Sequence, residues 1–173
     1  MISAGLDLMM NFARRHDVGR AEVLIDEIAE IAHNTTGWHG WLWTIRLAEA
    51  RAEIAFARRN FAEALKWSRA AVAESRKRGR VKYEVVGLGT RTAALHGLGR
   101  TRAAIRELRT AVLLARQFGD PAQFLRVASG LLSLAGDDAL AAEASAVSAQ
   151  VARALPDGRM RDAVVTGHWS VIG

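Results

Sequence analysis

The side chains in this chain best suited to chemistry are five histidines, one pair of adjacent aspartates, a cluster of tryptophans and a large excess of arginine. The histidines, His16, His33, His39, His96 and His168, are scattered, and no two stand three or four residues apart. No helix face can therefore present the paired imidazoles that a zinc-protease motif requires, and no metal site is expected. Asp137-Asp138 precedes a helical segment, where capping and the helix dipole account for both carboxylates without acid–base work. There is no G-x-S-x-G nucleophile elbow and no G-x-x-x-x-G-K-[ST] phosphate loop. Gly87-Leu88-Gly89 is a short glycine pair inside a helical pattern, with no strand before it. Cysteine is absent, which excludes a thiolate zinc site, an iron–sulfur cluster, a cysteine nucleophile and a disulfide framework. These absences lead us to expect a chain that is not an enzyme and has no cofactor.

The remaining chemistry is that of recognition. Trp38, Trp41 and Trp43 sit in what reads as a long connection between helices. Tryptophan is enriched at binding hot spots, but residues 41 and 43 can equally wedge neighbouring helix pairs together, the reading preferred for Trp43. Trp67 falls on the outward side of its helix, where the preceding pair could cover it. Of the 24 basic residues 21 are arginine, and the net charge of +6 is unevenly spread. Residues 58–109 hold 14 basic against four acidic groups, whereas both flanking regions are slightly acidic. Arg76, Lys77, Arg78, Arg80 and Lys82 crowd one inter-helix turn, where cations complement a helix C-terminus. Arg102, Arg106 and Arg109 form one stripe opposite Ile105, Leu108 and Val112. Such a belt reads as a solvated arginine face, or as a surface for sequence-blind, salt-sensitive nucleic-acid binding. No recognition helix accompanies it.

The elements that position these groups are helices. The 173 residues include 33 alanines and only two prolines, Pro121 and Pro156. From Leu42 to Arg58, apolar groups at Ile45, Ala48, Ala52, Ala55 and Phe56 recur at helical spacing. Asn60 and Glu63 predict a capping box for the next helix, which should fade near Gly79. A helix over 81–96 should follow, then one capped by Thr101 and ended by Gly119. Asp120-Pro121 reads as N-cap and first residue of another, and a last helix should span about 139–155. Upstream, two shorter helices flank a turn at His16 to Gly19. No run of about 18 apolar residues predicts a membrane span, Asp7 without a basic leader argues against a secretory signal, and a cytoplasmic location is expected.

The alternation of helix and turn hides a repeat. An offset of 40 lays Arg59-Asn60-Phe61-Ala62-Glu63-Ala64-Leu65 on Gly99-Arg100-Thr101-Arg102-Ala103-Ala104-Ile105, and places Ala71 on Ala111, Val72 on Val112 and Arg76 on Arg116. A further offset of 37 lays Gly99 on Gly136 and Ala104 on Ala141. Small residues recur where paired helices must approach closely, and glycine or a cap recurs where the chain reverses.

The small–large–small spacing, with Phe61 just after the turn and Ala64 three residues on, resembles the tetratricopeptide repeat (TPR), although that motif spans 34 residues. Trp43, Lys82-Tyr83 after an arginine-rich turn, and Leu98-Gly99-Arg100 are more particularly similar to the C-terminal repeats of bacterial ATPase/nucleotide-cyclase proteins and LuxR-type regulators. The resemblance covers about residues 38–155. It implies an all-α, right-handed superhelical solenoid of about four antiparallel helix pairs (about 1–34, 40–79, 81–119 and 121–156) within residues 1–165, followed by a tail over 166–173. It implies a non-catalytic interaction or sensor module whose first helices line a concave groove for a protein or peptide segment, including a missing upstream region of its own parent. Carried over position by position, the groove residues are Arg46, Glu49 and Glu53, then Val86, Ala93 and His96, then Gln123 and Arg126. The lysines and asparagines of a carboxylate clamp are missing. Because the first pair is apolar (Leu6, Leu8, Met9, Met10), an uncapped end that self-associates or docks is expected. The alternative is a nucleic-acid-associated module using the central belt.

Overall fold

The computed structural model describes residues 2–34 and 40–166, with the backbone alone for His33 and Ala163. Trp38, His39, His168 and all of the tail beyond Thr166 lie outside the described residues. Within them the chain is all-α. Its helices are α1 (Ile2–Arg14), α2 (Val18–Asn34), α3 (Gly40–Ala57), α4 (Phe61–Lys77), α5 (Val81–Gly97), α6 (Thr101–Phe118), α7 (Pro121–Leu134), α8 (Asp138–Ala154) and α9 (Arg159–Val165). The short α9 had no counterpart in the sequence reading, and α2 is a full-length helix rather than a short one.

The punctuation between helices repeats in detail. His16, Arg59, Gly79 and Gly99 all have positive φ, between 58° and 73°. In each turn the next residue donates its N–H five residues back: Asp17 to Phe12, Asn60 to Ala55, Arg80 to Ser75 and Arg100 to Leu95. These are Schellman closures, which satisfy carbonyls that a helix end would otherwise leave bare. Glycine adopts this conformation freely, so His16 and Arg59 are the costly positions. At helix starts, Asp120 accepts from the N–H groups of Ala122 and Gln123, and Asp137 from that of Leu140. Two expectations change. Asn60 accepts from the Glu63 N–H, but the Glu63 carboxylate returns to the Asn60 side-chain amide, because the Asn60 backbone N–H is already used in the preceding closure. Thr101 is the first residue of α6, not its cap, and its hydroxyl lies 3.1 Å from Nδ1 of His96.

Burial follows the 40-residue period. Ile45, Leu47, Ala48, Glu49, Ala50, Ala52, Glu53, Ile54 and Ala55 are buried on α3, and all nine equivalents on α5 are buried too. On α4, Ala64, Ser68, Ala71, Val72 and Ser75 map onto the five buried residues of α6. The register continues into α7, where Phe124, Leu125, Val127, Ala128 and Gly130 repeat the α5 pattern. α7 then stops three residues short, which is why the offset falls from 40 to 37. Consecutive helices pack together, and α1, α3, α5 and α7 also pack in succession, while among the described residues the backbones of α2, α4, α6 and α8 do not approach one another, α6 and α8 meeting through the long side chains of Arg116 and Glu143. An array whose odd helices meet and whose even helices spread apart is curved, with α1, α3, α5 and α7 lining the concave side.

The N-terminal apolar side chains are largely spent inside the chain. Leu6, Met9 and Met10 are buried against Ile28, Leu47 and Ala50, leaving Leu8 half exposed. Trp43 packs against this same cluster, as a wedge between helix pairs would. No helix among the described residues is long and apolar enough to cross a membrane.

Candidate functional site on the concave face

The inner helices bring charge into a layer where charge is expensive. Glu53 of α3 is almost entirely buried, and a carboxylate there needs strong partners to stay ionised. It has three on one oxygen. Oε1 accepts from Arg14 of α1 (Nη2, 3.0 Å), from Arg126 of α7 (Nη2, 2.7 Å) and from the Thr90 hydroxyl of α5 (3.2 Å). Four helices therefore meet at a single atom. The Arg126 guanidinium must cross α5 to arrive, and the small inward side chains of that helix (Gly89, Thr90 and Ala93) leave it room. Burial pushes the Glu53 carboxyl upward, but Arg126 and Arg14 together outweigh it and hold the group down at about 2.

One turn earlier, Glu49 is also buried, and its Oε1 has no hydrogen-bond partner. Burial dominates here and pushes the carboxyl up to about 8, against the pull of Arg126 and Arg46 and with the help of Glu53. Glu49 is thus predominantly a neutral acid at pH 7, able to donate as well as accept. Arg46, one turn further back, is held by Asp7 and by Ser3 (2.8 Å), which ties α3 to the start of α1. Gln123, one turn before Arg126 on α7, has a buried Oε1 without a partner. Arg14 is the member that reaches solvent, with its side chain 46% exposed.

Of the groove residues expected from sequence, the structure gathers Arg46, Glu49, Glu53 and Arg126 into this cluster, with Gln123 next to it along α7. His96 is not part of it. It lies in the last turn of α5, almost two turns beyond Thr90, beside Thr101. Arg14 and Thr90 were missed. Arg14 belongs to a helix read as an end rather than as the first inner helix, and Thr90 had no charge to flag it, although its place beside Gly89 on the inner face was a usable signal.

The basic belt divides in two. Arg76 pairs with Glu84 (2.7 Å), Arg78 with Glu74 (2.9 Å) and Lys82 with Asp120 (3.8 Å), while Arg80 stacks on the Trp41 ring at 4.5 Å. These four are neutralised or occupied by their own chain, and Trp41 is partly covered. Lys77, Arg102, Arg106 and Arg109 are exposed and have no carboxylate in ion-pair reach among the described residues. Trp67, outward by spacing but open to cover, is half-buried: it lies under the guanidinium of Arg51 of α3 at 4.6 Å and the ammonium of Lys66 at 5.0 Å, and donates to Glu63 (3.4 Å).

Among the described residues no group of three acidic or histidine side chains is placed to hold a metal ion. A cleft of about 430 Å³ between α7, α8 and α9 is lined by alanines, serines and aliphatic groups such as Leu125, Ser145, Ser148 and Val165, with no titratable side chain for acid–base work. A scan against protein-family models and searches of curated proteins and of solved structures gave no match.

Proposed function

We propose that this chain is a non-catalytic, tetratricopeptide-like repeat module whose concave face, lined by α1, α3, α5 and α7, holds an extended or helical segment of another protein. The observation that carries the reading is the polar cluster on that face, with its two unsatisfied acceptors, Glu49 Oε1 and Gln123 Oε1. A buried acceptor without a donor costs about 1–3 kcal/mol, and a side-chain shift that turns either oxygen out to a partner's backbone amide or side-chain N–H would relieve it. The 40-residue recurrence of buried positions, with small residues where helices approach, supports the repeat assignment. The resemblance to the regulatory ends of bacterial ATPase/cyclase and LuxR-type proteins suggests a cytoplasmic signalling role, with the segment supplied by the parent protein.

The test is selection of binding peptides from a display library against the intact chain, followed by affinity measurements on Gln123→Ala and Glu49→Gln. At least one selected family should weaken tenfold or more on Gln123→Ala, the loss of about one good hydrogen bond. If every selected peptide binds wild type and both variants equally, the groove reading fails.

A further inference from the structure

Six of the cations without a carboxylate in ion-pair reach among the described residues fall into two rows. Lys66 and Arg69 of α4 map by the 40-residue offset onto Arg106 and Arg109 of α6. Arg100 and Arg102 extend the second row through the α5–α6 turn. All six are exposed; five lie on α4 and α6, whose outward sides form the convex face, and Arg100 lies in the turn just before α6, while Lys66 also stands 5.0 Å over the Trp67 ring. The carboxylates of these two helices are already engaged: Glu63 with Asn60 and Trp67, Glu74 with Arg78, and Glu107 with Arg91 (2.5 Å). Two parallel rows of cations therefore face solvent with no acid of their own helices to neutralise them.

We propose that this outer face of α4 and α6 binds a nucleic-acid duplex through its phosphates, without reading bases. Arginine outnumbers lysine five to one in the two rows, and the guanidinium fork matches the oxygens of a phosphodiester. Seven residues of helix separate Arg102 from Arg109, about 10 Å along the axis, which matches the rise of about three phosphates of one strand along a duplex axis. A lipid surface fits less well. An interfacial helix needs a continuous apolar face to insert, and that of α6 (Ala104, Leu108, Ala111, Val112, Ala115) is buried in the core. Leu113 is the large apolar side chain left in the outer row, with Phe118 at its far end. This proposal is independent of the groove on the opposite side.

The experiment is fluorescence anisotropy of the intact chain with a labelled 20-base-pair duplex of mixed sequence, from 50 to 200 mM NaCl. If five of the cations meet phosphates, log affinity against log salt has a slope of about −4.5, a roughly 500-fold weakening over that range. R102Q/R106Q/R109Q should reduce the slope by about 2.7 and K66Q/R69Q by about 1.8, while R153Q, on the exposed side of α8, leaves it unchanged. Circular dichroism and thermal melting should match wild type for R102Q/R106Q/R109Q and R153Q, whose altered side chains make no ion pair or ring contact among the described residues, while K66Q/R69Q, which withdraws the Lys66 ammonium from 5.0 Å over the Trp67 ring, should melt at most slightly lower. Three results would each overturn the proposal: no duplex binding at 50 mM NaCl, an unchanged slope in the triple variant, or equal or tighter binding to phosphatidylserine vesicles or polyglutamate.

Discussion

Substituting Glu53 with glutamine tests the concave cluster most directly. The change keeps size and one acceptor for the Thr90 hydroxyl but leaves the Arg126 and Arg14 guanidinium groups facing an uncharged amide. Removing one partner of a buried ion pair costs about 3–5 kcal/mol. The Arg126 side chain is only 15% exposed and cannot reach water without rearrangement, whereas Arg14 is 46% exposed and can. The expected loss therefore lies at the lower end, about 3 kcal/mol. With a urea dependence of about 2 kcal/mol per molar, that is a midpoint shift of about 1.5 M, measured by circular dichroism at pH 7. The pH profile supplies an independent check. The Glu53 carboxyl is held down at about 2 in the folded chain, against about 4.3 unfolded. Its stabilisation is complete above the unfolded value and is lost as pH falls toward 2. The gap between wild type and Glu53→Gln should therefore close progressively below pH 5. The double variant E53M/R126M, which removes both charges, should recover more than half of the loss. A single variant within 0.5 kcal/mol of wild type at pH 7, or a gap that persists at pH 2, would refute the reasoning.

Glu49 carries the opposite sign. Its folded value of about 8 lies above the unfolded one, so wild type loses stability as pH rises from about 4.3 to about 8. Glu49→Gln, which cannot ionise, should match wild type near pH 4 and become progressively more stable up to pH 8; urea titrations showing a constant difference would contradict this. Arg59→Gly should stabilise the chain by about 1 kcal/mol, since a non-glycine residue pays about that for the left-handed conformation, and Gly99→Ala should lose a similar amount, both read as melting shifts. A Cβ on Gly97 would lie 2.7 Å from the Phe61 ring, which packs 5.6 Å from that of Phe56. Gly97→Ala should therefore cost about 1–3 kcal/mol by overpacking, and Phe61→Leu in the same chain should return part of it in chemical denaturation; full additivity of the two changes would argue against the contact.

The helices and most of their ends were legible because each rests on local rules. Asp120-Pro121, Asp137 and Gly119 act within one turn of their own positions, so the chain alone specifies them. The 40-residue period was legible because small residues at Ala64, Ala71, Ala104 and Ala111 answer to one packing geometry. What the sequence did not disclose is what depends on reach across helices. The distance from Arg126 to Glu53 passes over α5, and nothing in the spacing 53, 90, 126 signals a meeting. The division of the arginine belt was hidden for the same reason. Whether Arg76 or Arg106 finds a carboxylate depends on which helix lies alongside, not on the density of charge in a window.

Stacked repeats generally melt as chains of neighbour interactions, in which a defect at one end is not felt at the other. The single oxygen shared by Arg14, Thr90 and Arg126 changes that logic. It links α1 and α7 through one atom of α3, with the Arg126 side chain reaching past α5, so loosening the last pair withdraws a ligand from an atom that also anchors the first. This array should unzip less readily from its ends than its architecture suggests. Hydrogen-exchange protection in α1 should fall when the contact is removed at α7, and one carboxylate would serve as the keystone of the whole arch.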